Sequence, residues 1–381
     1  MDKFTPPKDS PRPPKPGGAY APMAFARKGR GATSSEPHRF ERVLREADGD
    51  ALDSALRDDD SPPPLKTEVR LEQVKSLLAF NDSPDLGFDR SINPYRGCEH
   101  GCVYCYARPT HSYLNLSPGL DFETKLTAKV NAAPVLRREL AARAYRAAVV
   151  NIGSATDAYQ PIERELRITR GVLEVLAAAN HPLAIVTKSS LIERDIDLLA
   201  PMAERGLVAV FMSVTTLDHE LSRTLEPRGA SPARRLRTVR TLADAGIPVD
   251  VNFSPVIPFI NEPELEKVLA AAAQAGARSA HYTVVRLPWE VAPLFRDWLA
   301  AHYPQRAERV MRRVQDMRGG RDYDADFATR MKGDGLWASL IKQRFDKACA
   351  RYGLTRERLD LRADLFEPPR DADSPQLGLF G

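Results

Sequence analysis

The stretch NPYRGCEHGCVYCYAR, residues 93–108, holds three of the four cysteines in this chain of 381 residues. Cys98, Cys102 and Cys105 follow the spacing C-x3-C-x2-C, and a glycine stands directly before each of the first two. Glycine tolerates the sharp turns that let a short loop curl. The loop can therefore aim three soft thiolates at one centre, a donor set that suits zinc or an iron–sulfur cluster.

The fourth ligand distinguishes a zinc site from an iron–sulfur cluster. A structural zinc site usually takes its ligands from two C-x2-C pairs or from paired histidines, so the spacing here is unusual for zinc, with His100 as the nearest candidate. Cys349 lies far along the chain in a helical pattern and is typical of an ordinary buried cysteine. Three cysteines leave one iron of a four-iron cluster open, and open coordination sites carry chemistry. We expect a catalytic iron–sulfur cluster, with a structural zinc loop as the alternative.

The composition excludes several classes of protein. The hydrophobic fraction of 43% is ordinary for a globular chain, and a net charge of +4 indicates no particular partner. Four cysteines cannot staple a chain of this length through disulfides. The first 18 residues lack the apolar centre of a secretory signal, and no apolar run of about 18 residues occurs. We expect a cytoplasmic protein with no membrane partner.

The chain divides by composition into four parts. Residues 1–65 are rich in proline, aspartate, arginine and serine and predict a largely disordered arm. Within this arm the piece ARKGRGATSSEPHRFER is expected to dock on the folded domain, since it carries Phe40 and a Gly/Arg turn. We expect a core domain over 66–300, a helical extension over 301–368 and a flexible tail over 369–381.

An alternation of apolar runs and helical patterns sets the fold class. The predicted strands cover 147–153, 183–189, 207–216, 247–254 and 279–285, with a sixth near 90–95. The predicted helices cover 162–179, 191–205, 231–245 and 261–275. Strands that are apolar on both faces and alternate with helices predict an α/β protein with a parallel sheet, as an open sheet or a partial barrel. The active site is expected at the carboxyl ends of the strands.

The segment CEHGCVYC resembles the cluster motif of the radical S-adenosylmethionine (radical SAM) enzymes, C-x3-C-x-aromatic-C, with Tyr104 as the aromatic residue. The resemblance covers about 88–290 and implies a partial (β/α)6 barrel of the TIM type. It also implies that the three cysteines hold a [4Fe–4S] cluster whose fourth iron binds S-adenosylmethionine (SAM). An electron from the cluster then cleaves SAM to methionine and a 5′-deoxyadenosyl radical, and the resemblance implies an external electron donor of the flavodoxin or ferredoxin type.

Longer segments are similar to the spore photoproduct lyase family, which repairs a thymine lesion in DNA. They include RGCEHGCVYCYAR, GSATDAYQPIE, IVTKSSLIERDIDLL and a long run that begins FMSVTTLDHELSRTLEPRG. The resemblance implies that Lys188 and Ser213 contact SAM, and it nominates three groups for the amino end of SAM: Ser154, Thr156 and Asp157. Each of these is otherwise a routine polar residue at a strand end.

One departure from that family concerns the hydrogen donor. Ser154 stands where the lyase uses a cysteine, and a serine O–H bond is too strong to replace a thiol in this role. Tyr104 and Tyr106 flank Cys105 and are candidates for relaying a hydrogen atom, with packing near the adenine as another role for Tyr104. The missing thiol argues against the same lyase reaction, so the substrate does not follow from the resemblance.

Two further features bear on partners. Arginines concentrate in two groups that suit phosphate or, alternatively, a solvated ion-paired surface: Arg228, Arg234, Arg235, Arg237 and Arg240, then Arg306, Arg309, Arg312, Arg313, Arg318 and Arg321. The segment QLGLF, Gln376 to Phe380, resembles the peptide by which bacterial DNA polymerases and repair proteins bind the sliding clamp. Gly378 departs from that pattern, and a terminal plug that packs on the barrel is the alternative.

These observations predict a radical SAM enzyme that acts on nucleic acid in a reaction akin to DNA repair. Two alternatives stay open. One is a radical SAM enzyme that modifies RNA, a peptide or a small molecule. The other is a non-catalytic, metal-stabilised, DNA-associated adaptor that docks on the sliding clamp through its tail.

Overall fold

A computed structural model describes residues 29–41 and 65–369. Most of the predicted arm and the clamp-like peptide at 376–380 lie outside the described residues. In the described part, no helix is long and apolar enough to cross a membrane.

The strands of the described part are β1 (Glu68–Glu72), β2 (Leu78–Phe80), β3 (Arg90–Ile92), β4 (Tyr95–Arg96), β5 (Lys125–Lys129), β6 (Val150–Ile152), β7 (Leu183–Thr187), β8 (Val208–Ser213), β9 (Val249–Val256) and β10 (Ser279–Val284). The α-helices there are α1 (Leu120–Thr124), α2 (Ala132–Leu140), α3 (Glu163–Leu166), α4 (Ile168–Ala178), α5 (Ile196–Glu204), α6 (His219–Leu225), α7 (Pro232–Asp244), α8 (Leu265–Gln274), α9 (Val291–His302), α10 (Ala307–Asp316) and α11 (Gly335–Tyr352). Short 3₁₀ helices cover Arg108–Leu114, Ser190–Asp195, Glu262–Glu264 and Ala363–Leu365.

The main sheet has seven strands in the order β10-β9-β8-β7-β6-β3-β2. The six strands from β3 to β10 are parallel, and β2 joins β3 antiparallel. All six correspond to the predicted strands, and residues of β6, β7 and β8 are buried on both faces. The two edge strands, β10 and β2, do not pair with each other. The α/β fold with a partial (β/α)6 barrel is therefore confirmed.

The helix predicted over 162–179 divides into α3 and α4. Arg167 separates them with a left-handed φ of 50°. The buried Glu163 carboxylate accepts hydrogen bonds from the backbone N–H groups of Thr169 (3.0 Å) and Arg170 (3.3 Å) and so caps the start of α4. The predicted N-cap at Ser231 is present, with the side chain accepting from the Arg234 N–H at 3.4 Å.

The loop between α10 and α11, residues 317–334, covers the open edge of the barrel, and we call it the C-terminal loop. The backbone N–H of Val284, in β10, donates to the Met331 carbonyl at 2.9 Å. Arg318 is 1% exposed and donates to the carbonyls of Val284 and Val285. Arg330 forms an ion pair of 2.5 Å with Asp85, in the turn between β2 and β3. These contacts hold the loop across the seam between β10 and the β2–β3 edge.

The described inner piece of the arm, 29–41, docks on the barrel as predicted. Its anchor is the buried Glu123 carboxylate of α1, which accepts hydrogen bonds from the backbone N–H groups of Gly31 (3.0 Å) and Ala32 (2.8 Å). A Cβ at Gly31 would lie 1.8 Å from the Gly101 carbonyl oxygen, so this approach requires glycine. Phe40 contacts Tyr113 but stays 47% exposed, so it is not the main anchor.

Candidate active site

The cysteine loop lies at the carboxyl end of β3, where the parallel strands end together. Cys98 and Cys102 are buried, and Cys105 is partly buried. Gly101 allows the curl because its φ is 67°, and a Cβ there would lie 2.7 Å from a Glu123 carboxylate oxygen. The loop curls at its two glycines, Gly97 and Gly101, and its first two cysteines are turned into the protein.

The fully buried Arg108 fixes the shape of this loop. Its guanidinium donates to the carbonyls of Cys102 (2.9 Å) and Gly101 (3.1 Å) and to two carbonyls before α1. It also pairs with Glu123 at 2.5 Å, with both side chains fully buried. Because Glu123 also anchors residues 31 and 32, one buried ion pair ties the cysteine loop to the docked arm.

Burial raises the pKa of two thiols of the cysteine loop. Burial raises the pKa of Cys98, with further increases from Asp157 and Cys102. Burial raises the pKa of Cys102 to about 12, although Lys188 opposes the increase. In the described residues, no three Cys, His, Asp or Glu side chains converge on a position that fits one metal ion. Three cysteine thiolates from one loop are the donor type that iron–sulfur clusters take.

Two residues that follow β6, Thr156 and Asp157, contact the cysteine loop and the end of β7. The Thr156 hydroxyl donates to the Gly97 carbonyl at 2.6 Å. Asp157 accepts from the Thr187 hydroxyl (2.7 Å) and from the Lys188 N–H (2.8 Å), and its carboxylate lies 3.2 Å from His100 Nδ1. Burial alone raises the pKa of Asp157, but His100 and these donors outweigh it and bring the pKa below its ordinary value. Thr156 and Asp157 therefore hold the loop and the end of β7 together.

Ser154 and Tyr106 meet at the mouth of the barrel. The Tyr106 hydroxyl donates to the Ser154 carbonyl. The Ser154 hydroxyl accepts from the Asn93 amide at 3.2 Å, and Asn93 also accepts from the Ala155 N–H at 2.8 Å. Tyr106 is 51% exposed, so its phenol borders the open space above the strands.

Lys188 and Tyr104 lie over the buried end of the site. The Lys188 ammonium is 5.9 Å from the centre of the Tyr104 ring. Burial lowers the pKa of Lys188, but the nearby Cys102 and Glu226 raise it by more than this, so the net pKa is above its ordinary value. The Tyr104 hydroxyl donates to Glu226, a residue 122 positions away. Lys188 is thus a cation beside both Cys102 and Glu226.

Glu226 is the centre of a buried network that the sequence analysis did not identify. Its carboxylate pairs with Arg235 at 2.5 Å and accepts from the Thr215 hydroxyl at 2.6 Å. Arg235 also donates to the Ser213 carbonyl at 3.0 Å, which places Ser213 beside this network. Burial raises the pKa of Glu226, but Arg235 and Lys188 lower it below its ordinary value. The sequence around Glu226, LEPRG, did not indicate this network, because the residues that Glu226 contacts are distant in the sequence.

The structure corrects the interpretation of the two arginine groups. Arg235 is 1% exposed and belongs to the Glu226 network, and Arg318 donates to backbone carbonyls inside the C-terminal loop. Neither can contact a phosphate. Arg228, Arg234 and Arg237 remain at the surface and line one pocket. Arg312 pairs with Glu308 on α10, as expected of a solvated helix.

The radical SAM superfamily matches residues 92–272, a range that begins at the end of β3 and contains the cysteine loop, Lys188 and Glu226. The chain belongs to the radical SAM superfamily. Enzymes of this family use a [4Fe–4S] cluster and SAM. The three cysteines fit such a cluster by number, spacing and location at the carboxyl ends of the strands.

The chain is also similar to two uncharacterised proteins and to a solved structure. Rv2578c, an uncharacterised protein of Mycobacterium tuberculosis, is 36% identical over 246 residues, which are 63% of this chain and 72% of the relative. MJ0683, an uncharacterised protein of Methanocaldococcus jannaschii, is 24% identical over 65% of this chain and 88% of its own length. A structure of spore photoproduct lyase complexed with dinucleoside spore photoproduct has a TM-score of 0.51 at 16% identity, and the match covers 74% of this chain and 79% of that one. The chain shares the fold of that lyase.

Proposed function

We propose that this radical SAM enzyme generates its radical at the cysteine loop and acts on nucleic acid. The observation that carries the nucleic-acid part is a basic pocket of about 540 Å³ beside the loop. Its lining includes four arginines, His100 of the cysteine loop and three serines. Guanidinium and hydroxyl groups are the usual partners of phosphate oxygens.

The pocket keeps a net positive charge after its ion pairs are considered. Arg234 pairs with Glu193 at 2.6 Å, and Arg228 pairs with Glu99 at 2.9 Å. Arg164 and Arg237 form no ion pair within the described residues and are exposed. The amino end of α7, capped by Ser231, also faces this pocket and adds a partial positive charge. Two unneutralised guanidinium groups beside a helix amino end favour a phosphodiester backbone.

The residues at the strand ends have separable tasks in this proposal. Cys98, Cys102 and Cys105 would hold the cluster, which supplies the electron that cleaves SAM to methionine and a 5′-deoxyadenosyl radical. Lys188 would bind the carboxylate of SAM as a charge-assisted partner, with Ser213 beside it. The Thr156 and Asp157 contacts keep the cysteine loop against the end of β7.

Tyr106 is the group we propose for the hydrogen relay. Its hydroxyl donates to the backbone carbonyl of Ser154, the residue where the lyase resemblance implies a thiol, so a phenol lies next to that residue. Tyr104 donates its hydroxyl hydrogen bond to Glu226, which holds the ring in place. The solved structure of spore photoproduct lyase contains a dinucleoside lesion, and this supports a nucleic-acid substrate here.

The test measures 5′-deoxyadenosine from anaerobically reconstituted enzyme with SAM and dithionite, alone and with single-stranded DNA, duplex DNA, RNA or an unrelated peptide. We expect a nucleic acid to raise the yield, and we expect Arg164→Ala/Arg237→Ala to lose that increase. Arg312→Ala is the matched control, because Arg312 is an exposed arginine of α10 paired with Glu308. Stimulation by the peptide alone, or equal stimulation of both variants, would overturn the nucleic-acid proposal.

A further inference from the structure

The most exposed aromatic side chains of the described residues share one feature: each has an arginine guanidinium against its ring. Three of them meet on a single arginine. Arg39 lies 4.8 Å from the ring centre of Phe40, 5.1 Å from that of Tyr113 and 4.5 Å from that of Trp289. We call these four residues the aromatic platform. Its rings are between 47% and 66% exposed.

Glu290 holds the platform rigid. Its carboxylate accepts from the Arg39 backbone N–H (3.0 Å), and its two oxygens both accept from one guanidinium nitrogen, Arg39 Nη1 (3.0 and 3.2 Å). It also accepts from the Ser112 hydroxyl at 3.2 Å. Glu290 is 6% exposed. A buried carboxylate therefore fixes a guanidinium, and the guanidinium fixes three rings from three separate segments of the chain.

Trp289 is presented outward by its backbone. It is 59% exposed, whereas Leu287 is fully buried and Glu290 nearly so. Its φ of 45° lies in the left-handed region, which a bulky residue rarely adopts. Strained conformations of this kind concentrate at binding and catalytic sites. Among the residues that the structure describes, the Trp289 ring contacts Arg39 but stays largely exposed.

The platform borders the candidate active site. Tyr113 lies on the 3₁₀ helix that follows the cysteine loop, and Trp289 follows β10 at the seam of the barrel. Three residues before Trp289, Arg286 lies 5.5 Å from the ring centre of Tyr106. In the described part of the chain, Arg286 has no carboxylate within ion-pair distance; it contacts Met331 and the Tyr323 hydroxyl. Arg286 therefore connects the chain segment of Trp289 to Tyr106 at the mouth of the barrel.

We propose that the aromatic platform stacks an unpaired nucleobase of the substrate strand, next to the nucleotide at the mouth. This inference rests on the proposed action on nucleic acid and specifies an unpaired base as the recognised group. Aromatic rings and guanidinium planes stack on every base, whereas a duplex hides its base faces. The uncompensated Arg286 charge favours a polyanionic strand over a neutral peptide.

The experiment measures fluorescence anisotropy of labelled strands with full-length reconstituted protein, without SAM. Oligothymidylate, oligouridylate and an abasic strand of the same length separate the base contribution from the backbone contribution. We expect the base-containing strands to bind roughly 5- to 100-fold more tightly than the abasic strand. Trp289→Ala and Tyr113→Ala should lose most of that ratio. Phe80→Ala is the control, since Phe80 is 65% exposed and has Arg90 against its ring, but lies on β2.

The outcomes distinguish the two proposals. If the wild-type protein binds abasic and base-containing strands equally, the platform proposal is wrong and the nucleic-acid proposal stands. If no strand binds, both are wrong. If the peptide of the SAM assay binds and its binding needs Trp289, the platform is a protein-docking surface and our inference is overturned. Trp289→Phe keeps a ring and should retain most of the ratio, which guards against a folding defect in the alanine variant.

Discussion

Glu226→Gln tests whether the buried network beside Cys102 contains a charge pair. The substitution keeps the shape and one oxygen, which can still accept from Tyr104 and Thr215. It removes the negative charge and turns an NH₂ group toward the Arg235 guanidinium, 2.5 Å from the lost oxygen. Both side chains are at most 1% exposed, so water cannot replace the lost charge.

Removing one partner of a buried ion pair costs about 3–5 kcal/mol. With an m-value of about 3 kcal/mol/M for a chain of this size, the urea midpoint should fall by about 1–1.7 M. Tryptophan fluorescence is a suitable signal, because the buried Trp298 donates to the Thr224 carbonyl two residues from Glu226. Adding Arg235→Met removes the stranded cation, so the double variant should regain about 2 kcal/mol relative to additivity.

The matched control is Glu308→Gln, which breaks the exposed pair with Arg312 on α10 and should cost less than about 1 kcal/mol. If Glu226→Gln cost no more than this control, or if the two site substitutions were additive, the network would not contain a buried charge pair and our description of the site would be wrong.

The remaining predictions concern the loop, pH and the tail. Arg108→Lys keeps the charge but loses the contacts to four carbonyls, so iron bound per chain and the melting temperature should both fall; unchanged iron content would contradict the role of Arg108 in shaping the loop. Burial lowers the pKa of His181 from 6.5 to about 4, so the folded state resists its protonation. The contribution of His181 to the free energy of unfolding should therefore be fully present above pH 6.5 and should fall by about 3 kcal/mol as the pH approaches 4. His181→Phe should weaken this pH dependence of the free energy of unfolding, measured in urea titrations. An equally steep pH profile for the variant would exclude His181 as its source. Leu379→Ala/Phe380→Ala should abolish binding of the full chain to a bacterial sliding clamp in calorimetry, and retained binding would refute the clamp-peptide prediction.

The strands and their parallel arrangement followed from the sequence because buried strands are apolar on both faces, a local property. The break between α3 and α4 at Arg167 could not be predicted from the sequence, because it depends on the buried Glu163 carboxylate capping the start of α4. The cysteine loop was visible because its ligands lie within eight residues. The hydrogen-bond partner of the Tyr104 hydroxyl could not be predicted, because Glu226 is 122 positions away.

The arginines show the same limit most clearly. Arg234, Arg235 and Arg237 look alike in the sequence, but the turn of α7 places Arg235 inward against Glu226 and its two neighbours outward at the basic pocket. Only the register of the helix against the barrel decides which of them neutralises a buried carboxylate. Likewise, nothing local indicates that Trp289, Tyr113 and Phe40 meet on one guanidinium.

The most direct test of the central claim is the yield of 5′-deoxyadenosine from SAM and dithionite in three reconstituted proteins: wild type, Cys102→Ser and Cys349→Ser. Cys349 is buried in α11, outside the cysteine loop, and serves as the control. The account predicts product from wild type and from Cys349→Ser, and none from Cys102→Ser. Product from Cys102→Ser equal to wild type, or a fully assembled cluster that yields none with any nucleic acid present, would contradict it.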